Sequence, residues 1–307
     1  MQQLNKMDSH IQELKISGFT VIDTIALGIF TKDEIEKQLH TCSDYIKKFF
    51  EDRDLILDID PTRIYKETSI SRTKKNSLEY NACYIQDNGK LNTRNPAISK
   101  GCGMGRATSQ KEIYYDKYFV SQTEKLRKTF TLLYDSPVCR HLSRFGYKIP
   151  SPDSSDMFTH VDMAYVNSDE LPPPRKLKDP QSYGPYSNDG RPQRLQGVLC
   201  LNESDGGFYC YPGAHLLYKE IGEELDFPKP KNSPQALSKD IIEKFNLERK
   251  VIPNKPGLLI VWNCAIPHGN TKVINTTPRV VKYINFQPYK KQVQFPRIVG
   301  LGNQGKD

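Results

Sequence analysis

The alternation of apolar and polar positions divides the chain into an N-terminal part that favours helices and a C-terminal part that favours short strands. A strand is predicted over residues 16–22, because β-branched and aromatic side chains dominate that stretch. A helix is predicted to begin after Thr31, since Thr31 and Glu34 have the spacing of a capping box. Its apolar face follows at helical period and consists of Ile35, Leu39, Cys42, Ile46 and the pair Phe49/Phe50.

The middle of the chain carries weaker signals. Strands are predicted at residues 55–59 and 80–85. The glycine-rich stretch 101–105 is predicted to be a flexible loop, because it lacks the Lys-Ser/Thr pair of a phosphate-binding loop. Residues 118–143 have helical periodicity with a break at Pro137.

From residue 144 onward the pattern changes to strands separated by turns. The predicted strands are 144–149, 157–166, 196–201, 207–211, 258–262 and 279–286, and a helix over 238–247 is predicted to be capped by Ser238. Residues 167–195 are rich in Pro, Tyr and Gly, and such a length without apolar periodicity indicates a binding loop or lid. Helices followed by many short strands predict a mostly β fold with flanking helices (α+β), in which a jelly-roll double sheet carries the helices on its outside. We expect one domain over residues 1–288, with a helical and basic part up to about residue 143, a jelly-roll core over about 144–288, and a polar tail at 289–307.

Charge and composition narrow the class of protein. The 307 residues have a net charge of +8, and residues 61–111 alone hold ten basic and three acidic side chains, a local excess of +7. Such a segment is typical of a solvated face, or of a surface that attracts an anionic substrate or partner. No apolar run approaches the roughly 18 residues of a membrane span, and the N-terminus has no apolar secretory signal. The seven cysteines are scattered without a CxxC pair, so we expect a cytoplasmic protein with free thiols and no zinc cage.

The placement of two histidines suggests a metal site. His160 and Asp162 stand two residues apart in a predicted strand, where side chains at i and i+2 share a face. His268 follows the apolar stretch 258–262, and Gly269 beside it would leave room for a ligand. Two histidines and one carboxylate on one face suit Fe(II) and leave three adjacent positions open. A hydrogen-bonded His–Asp pair without a metal is the alternative for His160 and Asp162 taken alone.

Arg279 stands eleven residues after His268, at the start of a predicted β-branched strand. The fork of a guanidinium matches the far carboxylate of a dicarboxylate that binds the metal with its other end. The alternative is an edge-strand arginine in solvent, whereas a buried arginine needs an anionic partner.

Together these residues resemble the phytanoyl-CoA dioxygenase family. The similarity includes the His160-x-Asp162 pair, the turn from Asp205 to His215 with its Pro212-Gly213 step, His268 and Arg279, the opening stretches 18–22 and 30–35, and Lys148-Ile149-Pro150. It extends over about residues 16–288, with gaps at 51–143 and 167–195.

The resemblance implies a double-stranded β-helix of the cupin-like type, in which His160, Asp162 and His268 bind Fe(II). It implies that Arg279 binds the C5 carboxylate of the cosubstrate 2-oxoglutarate. No catalytic residue beyond the metal ligands is expected.

Two further expectations come from the same resemblance. An additional cosubstrate contact is expected from one of three residues of the preceding strands: Arg144, Lys148 or Gln196. His215 ends the Pro-Gly-x-His turn and is expected to be structural.

The implied activity is hydroxylation of a small organic molecule, with O2 as the other substrate. In related halogenases a small residue replaces the carboxylate, so Asp162 favours hydroxylation. The 167–195 segment is longer and richer in Pro and Tyr than the family pattern, which leaves open whether the substrate is an acyl-CoA or another, anionic molecule. No membrane association and no nucleic-acid partner are expected, and the oligomeric state is open.

Two alternative functions are considered. The first is a macromolecule-directed oxygenase of the same superfamily, acting on protein or nucleic acid, which the basic 61–111 segment would suit. The nucleic-acid-demethylating branch carries a second arginine where this chain has Asn285, which argues against that branch. The second alternative is a non-catalytic, metal-binding jelly-roll protein.

Overall fold

The computed structural model describes residues 2–51, 116–140, 144–148, 156–163, 165, 191–192, 194–226, 235–274 and 277–288. Several predictions therefore lie outside the described residues: the strands at 55–59 and 80–85, the loop at 101–105, the basic segment 61–111, nearly all of the 167–195 loop and the tail 289–307.

The N-terminal region consists of α1 (Gln2–Ser17), β1 (Phe19–Asp23) and α2 (Lys32–Glu51). The sequence pattern did not predict α1, and residues 16 and 17 end this helix and do not begin a strand. Gly18 stops α1 with a φ of +78°, a left-handed conformation that glycine adopts without steric cost. The capping box of α2 is confirmed, because Thr31 N donates to Glu34 Oε2 at 3.0 Å and Glu34 N donates to Thr31 Oγ1 at 3.2 Å.

The predicted helix over residues 118–143 is two shorter helices, α3 (Lys117–Glu124) and α4 (Arg127–Tyr134). Asp116 caps α3 by accepting a 2.6 Å hydrogen bond from Phe119 N. The helix prediction is wrong after Pro137, where β2 (Val138–Arg140) forms instead. Within the described ranges, no helix combines the length and apolar character needed to cross a membrane.

The rest of the fold is mainly antiparallel sheet. Its elements are β3 (Arg144–Lys148), β4 (His160–Val161), β5 (Leu195–Cys200), β6 (Ser204–Cys210), a short 3₁₀ helix (Ala214–Leu217), α5 (Tyr218–Glu224), β7 (Gln235–Ala236), α6 (Lys239–Lys244), β8 (Lys250–Asn254), β9 (Leu258–Asn263), β10 (His268–Asn270), β11 (Arg279–Ile284) and β12 (Phe286–Pro288). One sheet has the order β1-β9-β5-β11-β3 and the second has the order β7-β4-β10-β6-β8, while β12 pairs with β2. The two five-stranded antiparallel sheets confirm the mostly β, jelly-roll prediction.

Several strand boundaries differ from the prediction. The strand expected over residues 157–166 is only the two residues of β4, and Asp162 lies in a bend after it. The pattern did not predict β8 and β10. The stretch 279–286 is divided, because Phe286 belongs to β12 and pairs with Arg140 of β2. The helix after Ser238 is shorter than expected, although Ser238 Oγ does accept from Ile241 N.

The first sheet, β1-β9-β5-β11-β3, has an inner face toward the second sheet and an outer face toward the helices. Inner residues such as Val198, Val281 and Trp262 pack with Phe208 of β6 in one buried cluster. Outer residues pack with the helices in a second cluster, which contains Leu195, Leu199, Leu201, Val280 and Ile284 together with Phe130 and Leu133 of α4. Side chains alternate along a strand, so whether a residue number in β5 or β11 is odd or even decides which face the residue occupies.

Lys282 is a buried cation on the outer face of β11. Its Nζ donates to Gln38 Oε1 at 3.1 Å and to Phe119 O at 3.0 Å, and lies 3.9 Å from the centroid of the Phe119 ring. Burial is the main cause that lowers the pKa of Lys282 to about 7; Cys42 and Asp116 oppose this decrease, and the Arg140 charge contributes to it. In the unfolded chain the amine has its ordinary, higher pKa. At pH values between the folded and the unfolded pKa, the unfolded state therefore binds more protons, and the free energy of unfolding rises with pH.

We therefore expect the difference in unfolding free energy between the natural protein and a Lys282→Met variant to depend on pH. The natural protein should gain roughly 2 kcal/mol relative to the variant between about pH 7.5 and 9.5, at up to about 1.4 kcal/mol per pH unit. Urea unfolding at both pH values measures the effect. Lys239→Met, at an exposed position in α6, is the control, and its free energy of unfolding should differ from that of the natural protein by the same amount at both pH values. If the free energy of unfolding changes equally with pH in all three proteins, the prediction is wrong.

Candidate metal centre

His160 and His268 are direct partners in the pairing of β4 with β10. Their ring centroids are 4.4 Å apart, and both side chains are buried. On its other edge β10 pairs with β6, where His268 faces Cys210. The sheet register therefore brings together two histidines that are 108 positions apart in the chain.

Asp162 joins the two histidines from the bend after β4. Its backbone N donates to Cys264 O at 3.1 Å, which holds the bend against the segment that leads into β10. Asp162 Oδ2 lies 3.2 Å from His268 Nε2, and Oδ1 lies 3.9 Å from His160 Nε2. The three ligand atoms lie within 4.8 Å of one another, and among the described residues this is the group that could hold a metal ion. The structure thus brings the three predicted ligands together.

The other nitrogen of each imidazole is held by the backbone. His160 Nδ1 lies 3.1 Å from Phe158 O, and His268 Nδ1 lies 2.9 Å from Ile266 O. A carbonyl at Nδ1 fixes the tautomer with its proton there, so Nε2 keeps a lone pair for a metal. Burial, with a smaller contribution from His268, lowers the pKa of His160 to about 4 against the opposing influence of Asp162 and Phe158 O, which keeps this imidazole neutral. Two neutral nitrogens and a carboxylate oxygen fit a divalent cation.

Aromatic side chains surround His268. Phe208 is stacked on it with ring centroids 5.6 Å apart, and the centroid of Trp262 lies at 5.2 Å. These rings cover the His268 side of the site with apolar surface.

Tyr209 connects the strands that carry the two histidines, a role that the sequence pattern did not indicate. Its hydroxyl donates to Met157 O and lies 3.2 Å from Thr159 Oγ1, on the segment that leads into β4. The same hydroxyl fills the space beside Gly269, where an added Cβ would lie 2.5 Å from it. The space at Gly269 is therefore occupied by Tyr209 and not reserved for a ligand, which corrects the interpretation of this glycine.

Arg279 begins β11 and points to the inner face, where it is only 2% exposed. This burial rules out the alternative of an edge-strand arginine in solvent. Its Nε and Nη2 atoms have no hydrogen-bond partner among the described residues. Gly206 of β6 packs against it, since an added Cβ there would lie 3.3 Å from Arg279 Cδ. A buried guanidinium with free donors requires an anion to be stable.

The three candidates for an additional cosubstrate contact lie in different places. Lys148 is buried and is the cross-strand partner of Arg279, and its Nζ donates to Thr271 O at 3.1 Å. Gln196 is the cross-strand partner of Trp262 and is half-buried. The side chain of Arg144 lies outside the described residues. Of the two described candidates, Lys148 is the neighbour of Arg279.

His215 lies in the 3₁₀ helix and is fully buried. Its Nε2 lies 3.1 Å from Lys15 O of α1, and its ring packs against Gly18. The residue therefore links the turn after β6 to the N-terminal helix, which agrees with the structural role expected for it.

Comparison with known proteins gives one match in sequence and several similar solved structures. No protein-family model matches the chain. A 110-residue stretch, 34% of this chain, is 33% identical to "Putative phytanoyl-CoA dioxygenase" of Dictyostelium discoideum and covers 29% of that protein.

Among solved structures, the epimerase SnoN in complex with Fe3+, alpha ketoglutarate and nogalamycin RO is 12% identical, with a TM-score of 0.49 over 99% of this chain and 93% of that one. EctD from S. alaskensis with 2-oxoglutarate and 5-hydroxyectoine is 15% identical, with a TM-score of 0.47 over 97% of this chain and 84% of that one. The resemblance of this sequence to the phytanoyl-CoA dioxygenase family is confirmed by the 110-residue match, which spans less than a third of that relative's length.

Proposed function

We propose that this chain is a dioxygenase that uses Fe(II) and 2-oxoglutarate to hydroxylate a small organic molecule. The observation that carries the proposal is the group of His160, Asp162 and His268, whose ligand atoms lie within 4.8 Å of one another. The sequence match to a protein named for phytanoyl-CoA dioxygenase supports the same class of chemistry.

The donor set fits ferrous iron. Two imidazole nitrogens and one carboxylate on one side of the metal form the 2-His-1-carboxylate arrangement of non-haem Fe(II) oxygenases, which leaves positions open for exchangeable ligands. Zinc hydrolases can use similar donors, so the metal ligands alone do not separate the two classes. The buried Arg279 is the second feature that distinguishes an Fe(II) oxygenase from a zinc hydrolase.

The buried Arg279 favours an enzyme that binds a dicarboxylate cosubstrate. Its guanidinium is buried, and two of its nitrogens have no partner among the described residues. Lys148 lies directly across from it and adds a second positive charge to the same face. The C5 carboxylate of 2-oxoglutarate, whose other end chelates the metal, would satisfy both cations.

The chemistry supplied by bound iron and 2-oxoglutarate is the activation of O2 for hydroxylation of a substrate C–H bond, with succinate and carbon dioxide as co-products. The residues of the chain contribute positioning and exclusion of water. The carbonyls of Phe158 and Ile266 orient the imidazoles, while Phe208 and Trp262 shield His268. Arg279 would hold a carboxylate of the cosubstrate. No described side chain beyond these is assigned a part in the chemistry.

Anaerobic titration of the metal-free protein with Fe(II) and 2-oxoglutarate tests the proposal. We expect a metal-to-ligand charge-transfer absorption band that forms only when both are present. The chain has one tryptophan, Trp262, beside His268, so its fluorescence should report the same binding events. Iron binding without the band would indicate a non-catalytic metal-binding protein, and the absence of both signals would overturn the proposal.

A further inference from the structure

A second arginine, Arg194, lies beside the first sheet and is half-buried. It directly precedes β5, and its carbonyl accepts a 3.0 Å hydrogen bond from Cys264 N, which extends the pairing of β5 with β9 by one residue. Val198 and Cys200, which have the same parity along the chain, lie in the cluster between the two sheets. Strand alternation therefore directs Arg194 inward as well.

The guanidinium of Arg194 is incompletely paired. Its Nε is buried and has no hydrogen-bond partner among the described residues. Arg191, three residues earlier, differs in this respect: it is exposed, and its Nε lies 3.6 Å from Asp135 Oδ2. A buried guanidinium nitrogen without an acceptor is costly, so its presence indicates an anionic ligand that the protein alone does not supply.

Arg194 lies on the Asp162 side of the metal centre. Cys264 connects the two residues, because its N donates to Arg194 O and its O accepts from Asp162 N. Only the segment at Cys264 thus separates the backbone of Arg194 from that of the proposed metal ligand Asp162.

Arg194 and Arg279 lie at opposite ends of the inner face. The register of β11 with β5 pairs Val281 with Cys200, so Arg279 is level with Asn202, eight residues from Arg194. At about 3.3 Å per residue this separation is roughly 26 Å along the strand. One 2-oxoglutarate molecule cannot reach both arginines, so Arg194 needs a different anion.

We propose that Arg194 binds an anionic oxygen, carboxylate or phosphate, of the molecule that is hydroxylated. This inference rests on the proposed function and names its substrate class as a small organic anion. Phe158, whose ring centroid lies 5.1 Å from that of His160, is 41% exposed and provides an apolar surface beside the metal ligands. The proposed substrate therefore has an anionic end for Arg194 and an apolar part for Phe158.

Binding of small aromatic probes to the anaerobic protein loaded with Fe(II) and 2-oxoglutarate tests this proposal. The probes are benzoate, phenyl phosphate and the neutral benzamide, and the readouts are Trp262 fluorescence and the charge-transfer band. Trp262 is level with Gln196, two residues from Arg194, so it is well placed to report binding there. We expect saturable binding of at least one anion and no binding of benzamide; the two anions distinguish a carboxylate site from a phosphate site.

Arg194→Gln should weaken binding of the preferred anion about 10- to 100-fold, as expected for loss of a charge-assisted hydrogen bond. The 2-oxoglutarate affinity of this variant should stay unchanged, which also shows that it is folded. Arg191→Gln removes the same charge from the nearby exposed site and should bind the probes normally. Equal binding of benzoate and benzamide, no binding of any probe, or an unchanged affinity in Arg194→Gln would overturn the inference. Failure of the proposed function would instead appear as a missing charge-transfer band before any probe is added.

Discussion

Replacement of Asp162 by alanine should abolish succinate formation from 2-oxoglutarate. Asp162 is the carboxylate of the proposed metal site and lies 3.2 Å from His268 Nε2 and 3.9 Å from His160 Nε2. The rate should fall by more than about 100-fold, since even residues that only support metal ligands typically contribute 10- to 100-fold. Fe(II) affinity, measured by quenching of Trp262 fluorescence, should fall in parallel.

Asp240→Ala is a suitable control, because Asp240 is an exposed carboxylate in the first turn of α6. It changes the net charge by the same amount and should leave both measurements unchanged. Iron-dependent succinate formation that survives in Asp162→Ala would show that the carboxylate is not a metal ligand.

Arg279→Met should weaken 2-oxoglutarate binding strongly while leaving Fe(II) binding intact. Truncation of one partner of a buried, hydrogen-bonded charge pair costs about 2–5 kcal/mol, which corresponds to roughly 30- to 4,000-fold in affinity. The charge-transfer band, titrated with 2-oxoglutarate at saturating Fe(II), measures the loss. Arg279→Lys keeps the charge but not the planar fork, so an intermediate affinity is expected.

The same variant separates a ligand-binding role from a structural one. Since two guanidinium nitrogens of Arg279 have no protein partner among the described residues, removing the charge should not destabilise the ligand-free protein. An unfolding temperature that rises or stays constant in Arg279→Met, together with lost 2-oxoglutarate binding, is the expected result. A large decrease in this temperature with unchanged 2-oxoglutarate affinity would assign Arg279 to the core.

The parts of the fold that could be predicted are those that local sequence determines. The capping box at Thr31 and Glu34 and the cap at Ser238 use side chains within three residues, and both form. The apolar run before His268 became the buried strand β9. The strand β10 could not be predicted, because His268, Gly269 and Asn270 have no strand-like pattern and are extended only through pairing with β4 and β6.

The candidate site shows the same limit. Spacing and resemblance were sufficient to choose the four site residues His160, Asp162, His268 and Arg279. The expected reason for the proximity of His160 and Asp162, a shared face of one strand, was wrong. Asp162 does not share a strand face with His160; a hydrogen bond to Cys264 O positions it in a bend. Tyr209 could not be found from sequence, because its contacts with Thr159 and Gly269 involve residues distant in the chain.

The shortness of β4 has a consequence for how the site is assembled. A two-residue strand contributes few ladder hydrogen bonds, so its alignment against β10 is weakly specified by the backbone. A slip by one position would turn His160 outward and Val161 toward His268. A cation shared by the two imidazoles and the carboxylate is compatible with only one alignment and would thus act as a cross-link between distant segments. Amide protons of β4 and β10 should accordingly exchange more slowly with solvent in the metal-loaded protein, so the ion that serves the chemistry would also complete the folding of its own binding site.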